Sequence, residues 1–388
     1  MVITGIEKFF KNPPARLIGK RLGLLCNQAS VDCCFRHSRD LVNAVLPGAL
    51  TCLFSPQHGF YAEKQDNMVE SHHGWDKELN IPIFSLYDES RKPSSEMFDR
   101  LDVLLVDLVD VGTRVYTFMT TLVYCLEAAA RLGKTVMVMD RPNPLGGLRV
   151  EGNLLDRECR SFVGLYPLPM RHGLTMAELG RLFNEHFGIG AEYEVVSMDG
   201  WQREMYFSDT GLPWVYPSPN MPRADTALVY PGQVIWEGTN ISEGRGTTLP
   251  FEISGAPFLR PEDMVKVSGE NLFTGANLRP LTFQPFFHKW AGEVCHGCQI
   301  HVTNPPDFSP YRLSLVLLQI ISRLYPGSFA LKEPPYEYEY EKLPLDLILG
   351  SKKVRLALLA GEEIEDIENS WQEELAEYDE LRRNYFLY

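Results

Sequence analysis

The sequence predicts an α/β protein, a parallel sheet covered by helices and joined to a second, smaller α+β domain. Three observations predict it. Four short, continuously apolar runs recur through the first third of the chain with helical segments between them, the pattern of strands buried on both faces of a parallel sheet. Each run ends in a cluster of polar residues. Beyond about residue 150 the texture changes to mixed helices and alternating strands around a proline-rich stretch, and 388 residues exceed what one ordinary core requires. The expected units are residues 1–149 and 150–388.

The four apolar runs are 21–26, 49–54, 103–109 and 135–139. They lead into Asn27 and Gln28; into Ser55, Gln57 and His58; into Asp110, Thr113 and Arg114; and into Asp140, Arg141 and Asn143. Ligands of open parallel sheets sit beyond the carboxyl ends of the strands, so all four clusters fall on the ligand edge. A helix is predicted over 116–132, with Phe118, Leu122, Cys125, Leu126 and Ala129 on one face and Gly133 as its stop. In the second part, Thr175 and Glu178 read as a capping box for a helix to about 187, followed by a strand over 192–198. An alternating strand is expected over 297–304. A helix then opens at Ser309-Pro310, with a serine cap and a first-turn proline. The last helix, about 362–383, places Ile364, Ile367, Trp371, Leu375, Tyr378 and Leu381 on one face. The segment PPYEYEYEKLP (334–344) reads as an acidic aromatic connector without a function.

Composition narrows the function classes. A formal charge of −14, from 51 acidic and 37 basic residues, opposes a nucleic-acid or anionic-membrane surface. No run of about eighteen apolar residues occurs, and the first residues lack the pattern of a secretory signal. Eight scattered cysteines, several within apolar runs, read as reduced thiols. A cytoplasmic protein with a small-molecule or oligosaccharide substrate is expected, with no nucleic-acid or membrane partner. No GxGxxG follows the first strand, and GxxxxGK[ST], GxSxG and HExxH are missing, so nucleotide, serine-hydrolase and zinc-hydrolase readings lack their motifs. Cys295-His296-Gly297-Cys298 with His301 is the one metal-like cluster. Without a second CxxC, and with alternation through Cys298, Ile300 and Val302, it reads as a strand, and no metal site is expected.

Residues 216–252 carry five prolines and only a short apolar piece at 226–230, which predicts a long folded loop. Trp214, Tyr216, Tyr230, Trp236 and Phe251 supply too much apolar surface for disorder. Among them stand Glu237, Asn240, Glu243 and Arg245. Convergent polar groups beside aromatic faces are how a pocket grips a sugar. Glycosidic cleavage commonly takes two carboxyl groups, one kept protonated by apolar surroundings such as Trp236 could give Glu237. Glu243 and Arg245 equally suit a structural ion pair. His58, between Pro56 and Gly59, is either a hydrogen-bonded loop residue or part of the chemistry. Glu63, Lys64, Gln65, Asp66 and Asn67 follow it in the same loop. Asp110 and Arg114 either brace their loop or bind substrate, and 140–144 is either a stiff turn or a holder for Arg141 and Asn143 as ligand groups.

With these residues in hand, the chain resembles the exo-β-N-acetylmuramidase family of NamZ type. The resemblance runs nearly end to end: 23–30, SPQHGF (55–60), DVGTRVYTF (110–118), DRPNPLGG (140–147), FVGLYPLPMRHGLTMAEL (162–179), SPNMP (218–222), YPGQVIWEGTNISEGRGTTLPFE (230–252) and the terminal helix. It implies a Rossmann-like domain joined to a smaller α+β domain with a cleft between them. It further implies release of β-linked N-acetylmuramic acid from the non-reducing end of peptidoglycan fragments, without a cofactor. Gln57-His58-Gly59 departs from the Glu-His-Gly that members commonly carry, where the glutamate is a candidate acid, and an amide does not exchange protons in that role. Glu243, Glu63 and His58 are therefore expected to carry catalysis. Gln57, Asp110, Arg114, Tyr116, Arg141, Asn143, Asn220, Glu237, Asn240 and Arg245 are expected to bind substrate. The alternative is a non-hydrolytic binding protein using the same cleft. Either way, His58, Asp110, Arg114, Arg141, Asn240, Glu243 and Arg245 should line one cleft, with Glu243 partly buried and Glu63 near the mouth.

Overall fold

The computed structural model describes residues 1–66, 68–269 and 273–388, so Asn67 of the loop after the second strand lies outside the described residues. Ten strands form two sheets: β1 (Leu22–Leu25), β2 (Leu50–Ser55), β3 (Gly74–Asp76), β4 (Ile81–Ser85), β5 (Val103–Val106), β6 (Thr135–Met139) and β7 (Glu192–Val196) in the larger, and β8 (Ile253–Ala256), β9 (Ala276–Phe283) and β10 (Cys295–Val302) in the smaller.

The larger sheet has the order β3-β4-β2-β1-β5-β6-β7, parallel throughout except for the β3–β4 pair at its edge. Without β3 this is the 3-2-1-4-5-6 order of Rossmann-like folds, with its switch point between β1 and β5. Successive side chains of a strand face opposite ways, and the burial follows that rule. Leu104, Val106, Val136 and Val138 join one core with the helix Phe118–Leu132, while Leu22, Leu24, Leu105, Met137 and Met139 join a second core on the opposite face. The helix Phe118–Leu132 ends at Gly133 in a left-handed conformation, φ 62°, as the sequence predicts.

The expected boundary at 149/150 falls inside this unit, because β7 pairs with β6 in parallel register. The helix Met176–Arg181 caps through the Thr175/Glu178 box, and its Thr175 and Ala177 bind the Asp140 carboxylate at the end of β6. A strand needs a free sheet edge to pair with, and β6 offers the one nearest in sequence. The smaller sheet, order β8-β10-β9, is antiparallel, with Cys295 and Cys298 inside β10. Among the described residues no group of three or more His, Cys, Asp or Glu could hold a metal. No helix among them is long and apolar enough to cross a membrane.

Residues 216–252 are more regular than expected. A helix, Ala224–Gln233, runs through Pro231 into a 3-10 turn, Val234–Gly238. A Cβ on Gly232 would come 1.9 Å from the Pro310 carbonyl oxygen, so this glycine lets the helix lie against the helix Pro310–Leu324. The predicted serine cap of that second helix is not used. Ser309 makes no capping bond, and the buried carboxylate of Glu151 accepts the Tyr311 and Arg312 amides instead, at 3.0 and 3.1 Å. The terminal helix is broken at 370–371 into Ile364–Asn369 and Gln372–Arg383. One hydrophobic core runs from Leu25 and Leu104 through Trp236 and Tyr311 to Tyr385, so the two sheets share an interior.

Candidate active site

A cleft of about 450 Å³, part of it open solvent, lies where the loop after β2, the start of the helix Phe118–Leu132 and residues 218–251 meet the segment around Tyr336. Gln57, His58, Tyr116, Asn220, Glu237 and Arg245 line it, six of the residues singled out from sequence. Phe118, Val163, Tyr230, Phe251 and Tyr336 add apolar and aromatic walls, and Glu337 adds a carboxylate.

The charges of the cleft are interlocked. Arg245 Nη2 donates to Glu237 Oε1, and Tyr336 Oη donates to Glu237 Oε2 at 2.6 Å. Behind Arg245, Glu243 is fully buried, with Oε1 3.2 Å from both Arg245 Nε and His288 Nδ1, and Oε2 accepting from Lys289 Nζ at 2.8 Å. Burial alone would raise the Glu243 carboxyl; Lys289, His288 and Arg245 outweigh burial and hold it well below the usual carboxylate range. Burial alone would lower the Arg245 guanidinium, and Glu237 and Glu243 raise it instead.

His58 adopts φ 73° beside Gly59 and is 8 % exposed. Its Nδ1 donates to the Lys64 carbonyl at 2.7 Å, which leaves Nε2 as an acceptor in the neutral ring. Burial pushes its pKa down to about 4, and Arg245 pushes the same way. Gln57 is fixed at both ends of its amide: Oε1 accepts from Thr117 Oγ1 at 2.5 Å, and Nε2 donates to Glu337 Oε1 at 2.9 Å. Asn220 donates to the Gln65 carbonyl at 2.8 Å, and the Tyr116 hydroxyl faces Ser218.

The other expected site residues do not line the cleft. Of the three assigned to catalysis, Glu243 stands behind Arg245, and Glu63 is exposed with its carboxylate against Gly59 on the loop after β2. Asp110 accepts from the Gly112 amide at 2.7 Å and faces His172 Nε2 at 3.2 Å. Asp110 and Arg114 do not pair with each other. Arg114, 1 % exposed, donates to the carbonyls of Asn153, Leu168 and Ile348, and burial pushes it down to about 10. Arg141 makes a two-pronged pair with Asp107 and binds the Val31 carbonyl. Asn143 holds the Leu174 carbonyl and the Leu145 amide, and Asn240 holds Ser328 and Ala330. For Asp110, Arg114, Arg141, Asn143 and Asn240 the reason is shared: loops that leave buried strands carry backbone groups out of water, and these side chains satisfy them.

Sequence reasoning missed Tyr336 and Glu337, which it had left in a connector without function. The available signal was the placement of a tyrosine and a glutamate directly after two prolines, in a segment too aromatic to stay in solvent.

Fold and cleft together define a class: a Rossmann-like sheet fused to a smaller α+β unit, with carboxylates and aromatic rings facing one hollow between them. Models of the N-terminal and C-terminal parts of exo-β-N-acetylmuramidase NamZ match residues 22–225 and 228–388, and the chain belongs to this family. It is 40 % identical, over its full 388 residues and 91 % of the relative, to the peptidoglycan β-N-acetylmuramidase NamZ of Bacillus subtilis (strain 168). Two solved DUF1343 family proteins from Bacteroides fragilis NCTC 9343 share the fold. One has a TM-score of 0.89 at 30 % identity and the other 0.77 at 26 %, each over all of this chain and 99 % of the other.

Proposed function

We propose that this protein is a glycoside hydrolase that releases N-acetylmuramic acid, or a related amino sugar, from the non-reducing end of peptidoglycan fragments. The observation that carries this reading is a single cleft in which two carboxyl side chains, Glu237 and Glu337, stand among Tyr116, Tyr230, Phe251 and Tyr336. Two carboxyl groups and aromatic walls are what cleavage of a sugar acetal requires, with no cofactor in the chemistry. The family relationship supports the choice of sugar. Arg245 keeps Glu237 oriented, Glu243 keeps Arg245 in place from behind, and neutral His58 offers Nε2 as an acceptor for a sugar hydroxyl.

In this reading the substrate is a soluble muropeptide fragment met in the cytoplasm. Eight cysteines without a disulfide support a reducing compartment. Incubation with the disaccharide N-acetylmuramyl-N-acetylglucosamine and with a chromogenic N-acetylmuramide tests the activity. Release of N-acetylmuramic acid from both is expected. No release from either across the pH range would leave the cleft as a binding site only.

A further inference from the structure

Glu337 sits in an unusual place. Tyr336 and Glu339 exchange amide-to-carbonyl bonds of 3.0 and 2.9 Å around a two-residue reversal, and both central residues have positive φ, 47° at Glu337 and 64° at Tyr338. Turns of this kind ordinarily take asparagine or glycine. A glutamate and a tyrosine are strained there, and such strain persists where the surroundings over-determine it, often at functional sites.

What the strained turn achieves is the delivery of one carboxyl group into the cleft wall. Glu337 is 4 % exposed. Tyr87 Oη donates to its Oε2 at 2.6 Å and Gln57 Nε2 donates to its Oε1 at 2.9 Å. The Thr117 hydroxyl fixes the Gln57 amide so that its nitrogen faces Glu337. Among the described residues no lysine, arginine or histidine forms an ion pair with Glu337. Glu237, by contrast, is paired with Arg245. Burial raises the Glu337 carboxyl above the ordinary glutamate range; the hydrogen bonds from Tyr87 and Gln57 pull it part of the way back, and the weaker effects of Glu237 and Arg245 oppose each other. A buried carboxyl group held by neutral donors, beside a second one paired with a guanidinium, is the arrangement of a proton donor and its charged partner.

Resting on the glycosidase reading above, we infer that Glu337 is the proton donor of the cleft and that Glu237 is the carboxylate that faces the developing positive charge on the sugar. As the bond between the anomeric carbon and the glycosidic oxygen breaks, its electron pair stays on that oxygen, which takes the Glu337 proton and leaves as an alcohol. The oxygen of one water closes on the anomeric carbon. One of its protons stays in the new hydroxyl, and the other restores Glu337, directly or through Glu237 and solvent.

The test compares the parent protein with Glu337→Gln on two substrates. The disaccharide needs its leaving oxygen protonated, and a nitrophenyl N-acetylmuramide, whose phenolate leaves unaided, does not. The expected result is a kcat on the disaccharide lower by about 10²–10⁴, with turnover of the nitrophenyl glycoside close to the parent's and the alkaline limb of its pH profile lost. Equal losses on both substrates, or none, would overturn the assignment. Tyr87→Phe, which removes one donor to the carboxylate, should move the parent's alkaline limb to higher pH; an unmoved limb counts against Glu337. Infrared difference spectra of the resting protein give a readout apart from turnover. At neutral pH the parent-minus-Glu337→Gln difference should carry a protonated-carboxyl stretch, since any band from Asp140 is common to both proteins and cancels. If the parent cleaves neither substrate, the glycosidase reading has failed. If it cleaves both while the stretch is missing, only the Glu337 assignment has failed.

Discussion

The ligand edge of the large sheet and the wall of the cleft are both crowded with buried charge, and they treat it in opposite ways. At the strand ends, Arg141 closes on Asp107, Arg114 is spent on three carbonyls, and Asp110 is met by an amide and His172. Asp140 accepts from Thr175, Ala177 and the Tyr388 hydroxyl, and burial pushes its carboxyl up to about 7. These groups pin loops and the chain terminus to the sheet. At the cleft, Arg245 is shared between Glu237 in the wall and Glu243 behind it, and among the described residues Glu337 has only neutral donors. The lesson is that a charge at a strand end is not yet a site. What separates bracing from chemistry is whether the partners of that charge exhaust it.

The contrast is broken most severely by removing a bracing charge. Arg141→Met strands the buried carboxylate of Asp107, and should cost about 3–5 kcal/mol of stability in urea unfolding while kcat of the folded fraction stays at the parent value. A lost kcat at unchanged stability would move Arg141 into the site.

A smaller effect separates His58 from its neighbours by pH. Its folded pKa of about 4 lies below the unfolded value near 6.5. The unfolded chain therefore binds the extra proton first, so the stability from the neutral ring is complete above pH 6.5 and is lost as pH falls toward 4, by about 3 kcal/mol in all. Asp140, raised in the fold, contributes with the opposite slope across much of that window, so the test is the difference between proteins. For His58→Asn, which tolerates positive φ, the stability of the parent minus that of the variant should fall by about 3 kcal/mol as the pH drops from 6.5 to 4 in chemical denaturation, the Asp140 contribution cancelling in the difference. Parallel curves would show that burial does not hold the ring neutral.

The smallest effect concerns architecture alone. Glu151→Ala removes the carboxylate that caps the helix Pro310–Leu324, and should cost roughly 0.5–2 kcal/mol in thermal or urea melts without changing the pH profile of turnover.

Much of the fold was legible because it rests on short-range pattern. The apolar runs of β1, β2, β5 and β6, the capping box at Thr175 and the stop at Gly133 are each read within a few residues. The helix Ala224–Gln233 was not, because Pro231 and Gly232 look like breakers until the Pro310 carbonyl is seen against Gly232. The membership of β7 in the large sheet was hidden for a related reason, since only the pairing with β6 assigns it. Within the site, Glu237 and Arg245 were legible from the aromatic stretch that holds them. Glu337 was not, because its hydrogen-bond partner Gln57 is 280 residues away in sequence. The strand-end charges were overread, since sequence shows that a guanidinium is present but not that three carbonyls consume it.

The most direct test of the division between bracing and chemistry is where the sugar goes. A crystal structure of the Glu337→Gln protein soaked with the uncleaved disaccharide would show it. The glycosidic oxygen is expected within hydrogen-bond reach of the residue 337 amide, about 2.6–3.2 Å, with the sugar ring against the Tyr230 and Phe251 wall and Glu237 below the anomeric carbon. A disaccharide lodged instead at the strand ends against Arg141 and Asn143, with the cleft empty, would contradict it.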